Sequence, residues 1–501
     1  MQTNSDFQPQ VVCAQGVLAG RRSNGVDAFF DIPYAADLGP GRRFSLPLPP
    51  PSWNGVRNAN HPGPVFPQMT SRLTPVMGTT KEFANQSEGA FRLNVWMPTH
   101  LSSDHASCPD SAQTKLPVLL WIHGGGWLTG GAPLSWYHGD SLAKSGRVVV
   151  VSVNYRLGAL GNLYLPTDTA GSMALQDLLA ALDWVHENIA AFGGNRNAIT
   201  VCGQSAGAWY TTALMASPTA SRRFARAILL SLPGSIKPQH PEDAALLARR
   251  YCRVLDVAPR VSALRTVPVE RLIKAQLLMA RERPVFADIP ETFLPIADDA
   301  LLPADMLSAA AARSIGMPVL LGTLPEEMGA FFCTDQAVVN ARDTEILARF
   351  ETVYGVEGGR RYDERQKARP DASGYDHLVE LVSENIFHEP TRRLAGALAK
   401  NGNPVFLYNF TWRSNAPLMG ACHCLELPFV FDNFESWSDA GMLAQFDLDA
   451  ARQLARRTQA ALLNFVERGD PNGGGLPLWL AYNDAEKSTM TFVYRTSRVS
   501  K

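Results

Sequence analysis

The chain of 501 residues carries 46 Lys and Arg against 47 Asp and Glu, a formal net charge of -1 that leaves no basic footprint for nucleic acid. Hydrophobic residues make up 46% and charged residues 19%, which excludes disorder over most of the length and calls for a large core. No apolar run reaches the ~18 residues needed to cross a bilayer, so the sequence does not read as an integral membrane protein.

The first ten residues are polar and lack the basic and apolar parts of a secretory signal, from which a cytoplasmic protein is expected. Cys13, Cys108, Cys202, Cys252, Cys333, Cys422 and Cys424 form an odd, scattered set unlike a disulfide framework, in keeping with a reducing compartment. The prolines at 47–51, followed by Trp53, predict a packed surface loop. Further on, 118–122 and 148–153 are continuously apolar and rich in β-branched residues, as strands covered on both faces are. From 173 to 191, Leu175, Leu178, Leu179, Leu182, Val185 and Ile189 recur at helical spacing until Gly193-Gly194. A short strand at 199–202, a tight turn at 203–207 and a helix at 208–216 follow. Strand, helix, strand, turn and helix in that order predict an α/β fold with a mostly parallel twisted sheet flanked by helices. Helical patterning over 254–312 predicts a cap on the site, within a single domain of residues 1–501.

Two glycine-rich turns carry the chemistry. Gly203-Gln204-Ser205-Ala206-Gly207 lies between a strand and a helix, where small flanking residues allow a sharp turn that lifts a serine hydroxyl above the sheet. His123-Gly124-Gly125-Gly126-Trp127 follows the strand ending at Ile122, and such glycines let backbone N–H groups converge on one oxyanion. No Gly-Lys-Ser/Thr completes a phosphate-binding loop. A serine nucleophile needs a base and an orienting acid. After Ser205 the histidines are His240, His377, His388 and His423, and only His423 sits in a small-residue turn leading into an apolar run. The strand at 319–321 opens onto Glu326 and Glu327, and its C-terminal end is a suitable place for the acid. Spacing alone admits either glutamate.

With these parts in order the chain resembles the type-B carboxylesterases, the α/β-hydrolases that include cholinesterases and bacterial para-nitrobenzyl esterases. The resemblance spans about 16 to 482 and rests on 29–35 (FFDIPYA), 53–57 (WNGVR), 93–96 (LNVW), 154–156 (NYR), 174–208, 295–298 (PIAD) and 469–479 (GDPNGGGLPLW). It implies Ser205 as nucleophile, Glu327 as acid, His423 as base, and the N–H groups of Gly125, Gly126 and Ala206 as oxyanion donors. Ser231 looks like the buried serine that hydrogen-bonds near the acid in relatives. Several positions depart from the family. Gln204 stands where a glutamate is frequent, which removes an attraction for cationic substrates. Ser87-Glu88-Gly89-Ala90 lacks the cysteine of the secreted members' first disulfide. Met328 and Cys424 replace glycines.

The resemblance thus implies a serine carboxylesterase that works through an acyl-serine intermediate, without cofactor or metal, on a small and largely hydrophobic ester. Adjacent ligands such as Cys422-His423-Cys424 cannot readily enclose one tetrahedral ion. A hydrolase of carbamates, aryl amides or a complex natural-product ester would use the same machinery and differ in leaving group. A cholinesterase-like binding module would be expected to lack an intact triad. Trp127, Trp136, Trp209, Phe331, Phe332, Trp412 and Phe429 are candidates for a hydrophobic gorge, and Arg413 for recognition of an anion.

Overall fold

The computed structural model describes residues 8–101, 115–282, 286–290, 292–298, 300–493 and 498–500. Most of the first ten residues, read above for a leader, and Cys108 lie outside them. An eleven-stranded sheet organises the chain. Seven neighbouring strands run parallel, in the order Thr489–Phe492, Val405–Phe410, Val319–Thr323, Arg226–Leu230, Gly194–Gln204, Leu116–Ile122 and Val149–Val153. Arg92–Pro98, Val26–Pro33 and Arg21–Ser23 extend one side antiparallel, and Arg498–Ser500 the other. A separate small sheet joins Gln10–Cys13, Gly16–Ala19 and Val56–Asn58.

The apolar runs are continuous because both faces of the sheet are covered. Val118, Leu120 and Ile122 enter one hydrophobic cluster, while Leu119 and Trp121 enter the cluster on the opposite face. The helix Met173–Asn188 buries its leucine stripe and passes through a short tighter turn to Gly193, which takes the left-handed conformation at φ 74°. The strand that follows, Gly194–Gln204, is longer than the apolar stretch at 199–202, because Gly194 already pairs with Leu116. The turn is correspondingly tighter than expected and consists of Ser205 alone. Helix Ala206–Ala216 begins at the next residue and is buried on every side, so it carries no amphipathic stripe.

The 254–312 region divides in two. Helices Pro241–Leu255, Val261–Leu264 and Val269–Glu282 share an apolar cluster with Ala159, Leu160 and Leu163, whereas Met306–Arg313 packs beside the sheet against Ala206–Ala216. Another helical layer gathers Val338, Ile346, Phe350, Leu378 and Phe387 around Met328 and Phe332. Within it the helix Gly374–Ser383 continues through a widened turn at Glu384–His388 into Glu389–Lys400.

Candidate active site

Four parallel strands deliver the singled-out residues to one edge, as the carboxyl ends of strands in open α/β sheets do for ligand sites. The 123–127 loop follows Leu116–Ile122, Ser205 follows Gly194–Gln204, and Glu327 lies just beyond Val319–Thr323. His423 lies beyond Val405–Phe410.

Ser205 has φ 56° and ψ -123°, a strained conformation for a residue with a side chain, held by its N–H donating to Leu230 O at 2.9 Å. The flanking glycines permit this turn by proximity. A Cβ on Gly203 would fall 2.2 Å from the Gly207 backbone, and one on Gly207 would fall 2.0 Å from Ile122 O. The helix therefore starts in contact with the strand that carries the 123–127 loop. That loop presses on the serine in turn, since a Cβ on Gly124 would lie 3.1 Å from Ser205 Cβ.

Gln68 clasps the far side of the loop. Its Nε2 donates to Gly130 O at 2.8 Å, and Gly130 N–H donates to its Oε1 at 2.7 Å. Tyr155 OH donates to His123 O at 2.7 Å while its ring stacks on His123. Burial drives His123 down to about 4, so it stays neutral. Among the described residues, the N–H groups of Gly125, Gly126 and Ala206 donate to no protein oxygen, and the space beside Gly126 is open. Backbone donors without a protein acceptor, in the loop that presses on the serine and in the residue after it, are what an oxyanion requires. Gly125→Ala places a Cβ 2.0 Å from Thr129 O at a φ of 120° and must displace the loop. We expect kcat/KM for 4-nitrophenyl butyrate to fall about 10²- to 10³-fold, with an unchanged circular dichroism spectrum.

Glu327, and not its neighbour, meets the imidazole. His423 Nδ1–H donates to Glu327 Oε2 at 2.5 Å, and Leu324 N–H donates to the other carboxylate oxygen at 2.9 Å. Both side chains are buried. Glu326 points outward, accepts from Ala421 N–H at 2.8 Å and pairs with Arg413. Arg413 is thus bound to Glu326 and exposed, away from the imidazole. With Nδ1 donating, the His423 Nε2 lone pair is available as a base requires. The hydrogen bond it makes here comes from Gln204, whose Nε2 donates to it at 3.2 Å and also lies 3.4 Å from Cys424 Sγ.

Ser231 Oγ donates to Glu426 Oε1 at 3.3 Å, so its partner is a second buried carboxyl and not Glu327 itself. Burial, and then the nearby Glu327 charge, push Glu426 up to about 7 against the pull of His423. Near neutral pH it adds less than a full second negative charge beneath the imidazole. Glu426 was unread in the sequence, although a lone glutamate in the apolar run 425–431 was the available signal. Of the aromatic candidates, Phe331 packs on His423 with ring centroids 5.2 Å apart. Trp127 meets Trp209 edge to face, while Trp136 stacks on Trp437 and both Trp412 and Phe429 belong to the core. Phe387, from the widened helical turn, packs on His423 at 5.1 Å and had no signal in the sequence. The described cysteines, Cys13, Cys202, Cys252, Cys333, Cys422 and Cys424, are unpaired. Among the described residues no helix is long and apolar enough to cross a membrane.

Known proteins match the chain over nearly its full length. The carboxylesterase family model matches residues 7–501. Phenmedipham hydrolase of Pseudarthrobacter oxydans is 32% identical, over 93% of this chain and 91% of its own. Para-nitrobenzyl esterase of Bacillus subtilis (strain 168) is 32% identical over 96% and 94%. The crystal structure of the Geobacillus stearothermophilus carboxylesterase EST55 at pH 6.2 superposes with a TM-score of 0.85 at 32% identity, covering 98% of each chain. A family match over nearly the full length, joined to a serine turn at the sheet edge, makes this chain a member of the carboxylesterase family, a serine carboxylesterase of the α/β-hydrolase fold.

Proposed function

We propose that Ser205 is the nucleophile, His423 the general base and then acid, Glu327 the group that orients it, and Gly125, Gly126 and Ala206 the oxyanion donors. The observation that carries this reading is the buried Glu327–His423 hydrogen bond, which leaves Nε2 free of a proton beside the serine turn. His423 Nε2 accepts the Ser205 proton as Oγ adds to the ester carbonyl, and the three N–H groups hold the resulting oxyanion. Collapse breaks the carbonyl–alkoxy bond, and His423 returns the proton to the departing alcohol. Water then adds to the acyl-serine carbonyl, losing its proton to His423, and collapse breaks the carbonyl–Oγ bond as His423 returns the proton to Ser205 Oγ, which releases the acid. Gln204 holds the lone pair that Ser205 needs. Releasing a neutral hydrogen bond of this kind costs roughly 1 kcal/mol, a small part of the barrier.

Aromatic groups around His423 support an acyl or alcohol portion that is largely hydrophobic. Carbamates pass through the same steps and belong in the test panel, as does phenmedipham given the similarity to phenmedipham hydrolase, beside 4-nitrophenyl acetate, butyrate and octanoate. Hydrolysis of the nitrophenyl series, with a rate that depends on chain length, is the expected result; no turnover of any member would oppose the reading. Unpaired cysteines, and Ala90 in place of the secreted members' cysteine, support a cytoplasmic location. Of the 254–312 segment, the helices up to Glu282, together with the helical layer around Phe387, are assigned the role of a cap within one domain, whereas Met306–Arg313 packs beside the sheet.

Gln204→Glu tests the environment of the base. A carboxylate 3.2 Å from Nε2 favours the imidazolium, the form unable to accept the serine proton. The acid limb of the kcat/KM profile is therefore expected to move to higher pH by about one unit, so that activity at pH 6 falls more than at pH 8. A limb that stays in place would show that residue 204 does not face the base during acylation.

A further inference from the structure

The wall beside His423 carries a charge that the chemistry above does not use. Phe331, 5.2 Å from the imidazole centroid, has the guanidinium of Arg72 over its ring at 4.6 Å. Arg72 lies in the loop just before the short helix Thr74–Met77, and its side chain is open to solvent. Surrounding protein nevertheless crowds it enough that burial pulls the guanidinium down to about 10, with Asp288 opposing. Arg72 is thus reachable by water on one side and faces Phe331 on the other.

Neighbouring carboxylates leave Arg72 short of a counter-charge. Asp288 lies 2.7 Å from Arg349, whose side chain is only 6% exposed, so the carboxylate whose charge acts on Arg72 is already paired with another guanidinium. Arg349 Nε is itself buried without a hydrogen-bond partner. Arg413, the cation singled out in the sequence, is bound to Glu326. Among the described residues Arg72 makes neither a hydrogen bond nor an ion pair. Charged groups drawn partly out of water are ordinarily paired. A surplus cation here calls for an anion from outside. A guanidinium held over a ring at this distance uses its charge and not its N–H groups, which stay available for the two oxygens of a carboxylate.

We propose that Arg72 determines specificity for an ester that also bears a carboxylate, holding that carboxylate beside Phe331 while Ser205 attacks the ester carbonyl. This rests on the assignment of Ser205, His423 and Glu327 above, and it narrows the substrate from a hydrophobic ester to an amphipathic one. The guanidinium carbon can lie no farther from the imidazole centroid than the two contacts through Phe331 laid end to end, a reach suited to a small molecule.

Two matched pairs test it. Mono-4-nitrophenyl adipate against 4-nitrophenyl hexanoate places the charge on the acyl side; 3-(butyryloxy)benzoate against phenyl butyrate places it on the alcohol side. Wild type and the Arg72→Leu and Arg72→Lys variants are compared on active sites counted with a fluorophosphonate. The expected result is a fall of about 10- to 100-fold in the charged-to-neutral ratio of kcat/KM in at least one pair for Arg72→Leu, as for loss of a charged hydrogen bond, with Arg72→Lys between. The wild-type ratio should also decline with added salt. A ratio unchanged by Arg72→Leu in both pairs, with the neutral esters still hydrolysed, would overturn the proposal and leave the esterase assignment standing. Failure of wild type on all four esters would overturn both.

Discussion

Replacing Ser205 with alanine is expected to lower kcat for 4-nitrophenyl butyrate by about 10⁴- to 10⁶-fold while the protein stays folded. Alanine fills the same volume, and the N–H of residue 205 still donates to Leu230 O, so the loss belongs to the missing Oγ and not to the turn. Residual hydrolysis would come from the oxyanion donors and from binding. The comparison requires purified variant free of wild-type enzyme, because a trace of wild type would mask so large a loss. A fall of less than about tenfold would mean that another group attacks the ester.

Glu327→Gln should cost about 10⁴-fold in kcat, nearly as much, although it changes one atom. In the wild type the carboxylate accepts from Nδ1–H and fixes the tautomer in which Nε2 is a base. An amide can turn its NH₂ toward Nδ1, which favours the tautomer whose proton sits on Nε2 and blocks transfer from Ser205. The control is Glu326→Gln. Glu326 is tied to exposed Arg413 and to Ala421 N–H, and glutamine retains an acceptor for that N–H. Exposed ion pairs contribute about 0–1 kcal/mol, so less than a tenfold loss is expected there. Equal losses in the two variants would show that the adjacent glutamates are not distinguished by their contact with the imidazole. Measured kcat values for both, beside thermal melts, decide the matter.

What the sequence could and could not disclose follows from the range of the interactions. The strands at 118–122 and 148–153, and the helix from Met173, were legible because burial on both sheet faces leaves an unbroken apolar run and burial of one helix stripe a periodic one, each within a few residues. Ser205 and the 123–127 loop were legible for a related reason: their glycines answer to contacts so close that no side chain fits, as at Gly203 against the Gly207 backbone. The adjacent glutamates were harder. Their spacing is equivalent, and the choice of Glu327 came from resemblance, whereas the structure separates them by direction, one inward to His423 and one outward to Arg413. Contacts made across long separations were the least visible. Nothing local marks Gln204 as a donor to His423, or Glu426 as the partner of Ser231. Phe387 reaches the imidazole from a helical layer with no distinguishing motif, and Arg72 is one arginine among many until the fold sets it over Phe331.

Whether Ser205 forms the covalent intermediate is decided by treating the protein with a fluorophosphonate and locating the adduct by peptide mass spectrometry. One adduct is expected, on Ser205, with loss of esterase activity in proportion to labelling, and strongly slowed labelling in His423→Ala. Active enzyme that stays unlabelled at Ser205, or loses activity through an adduct elsewhere, would contradict it.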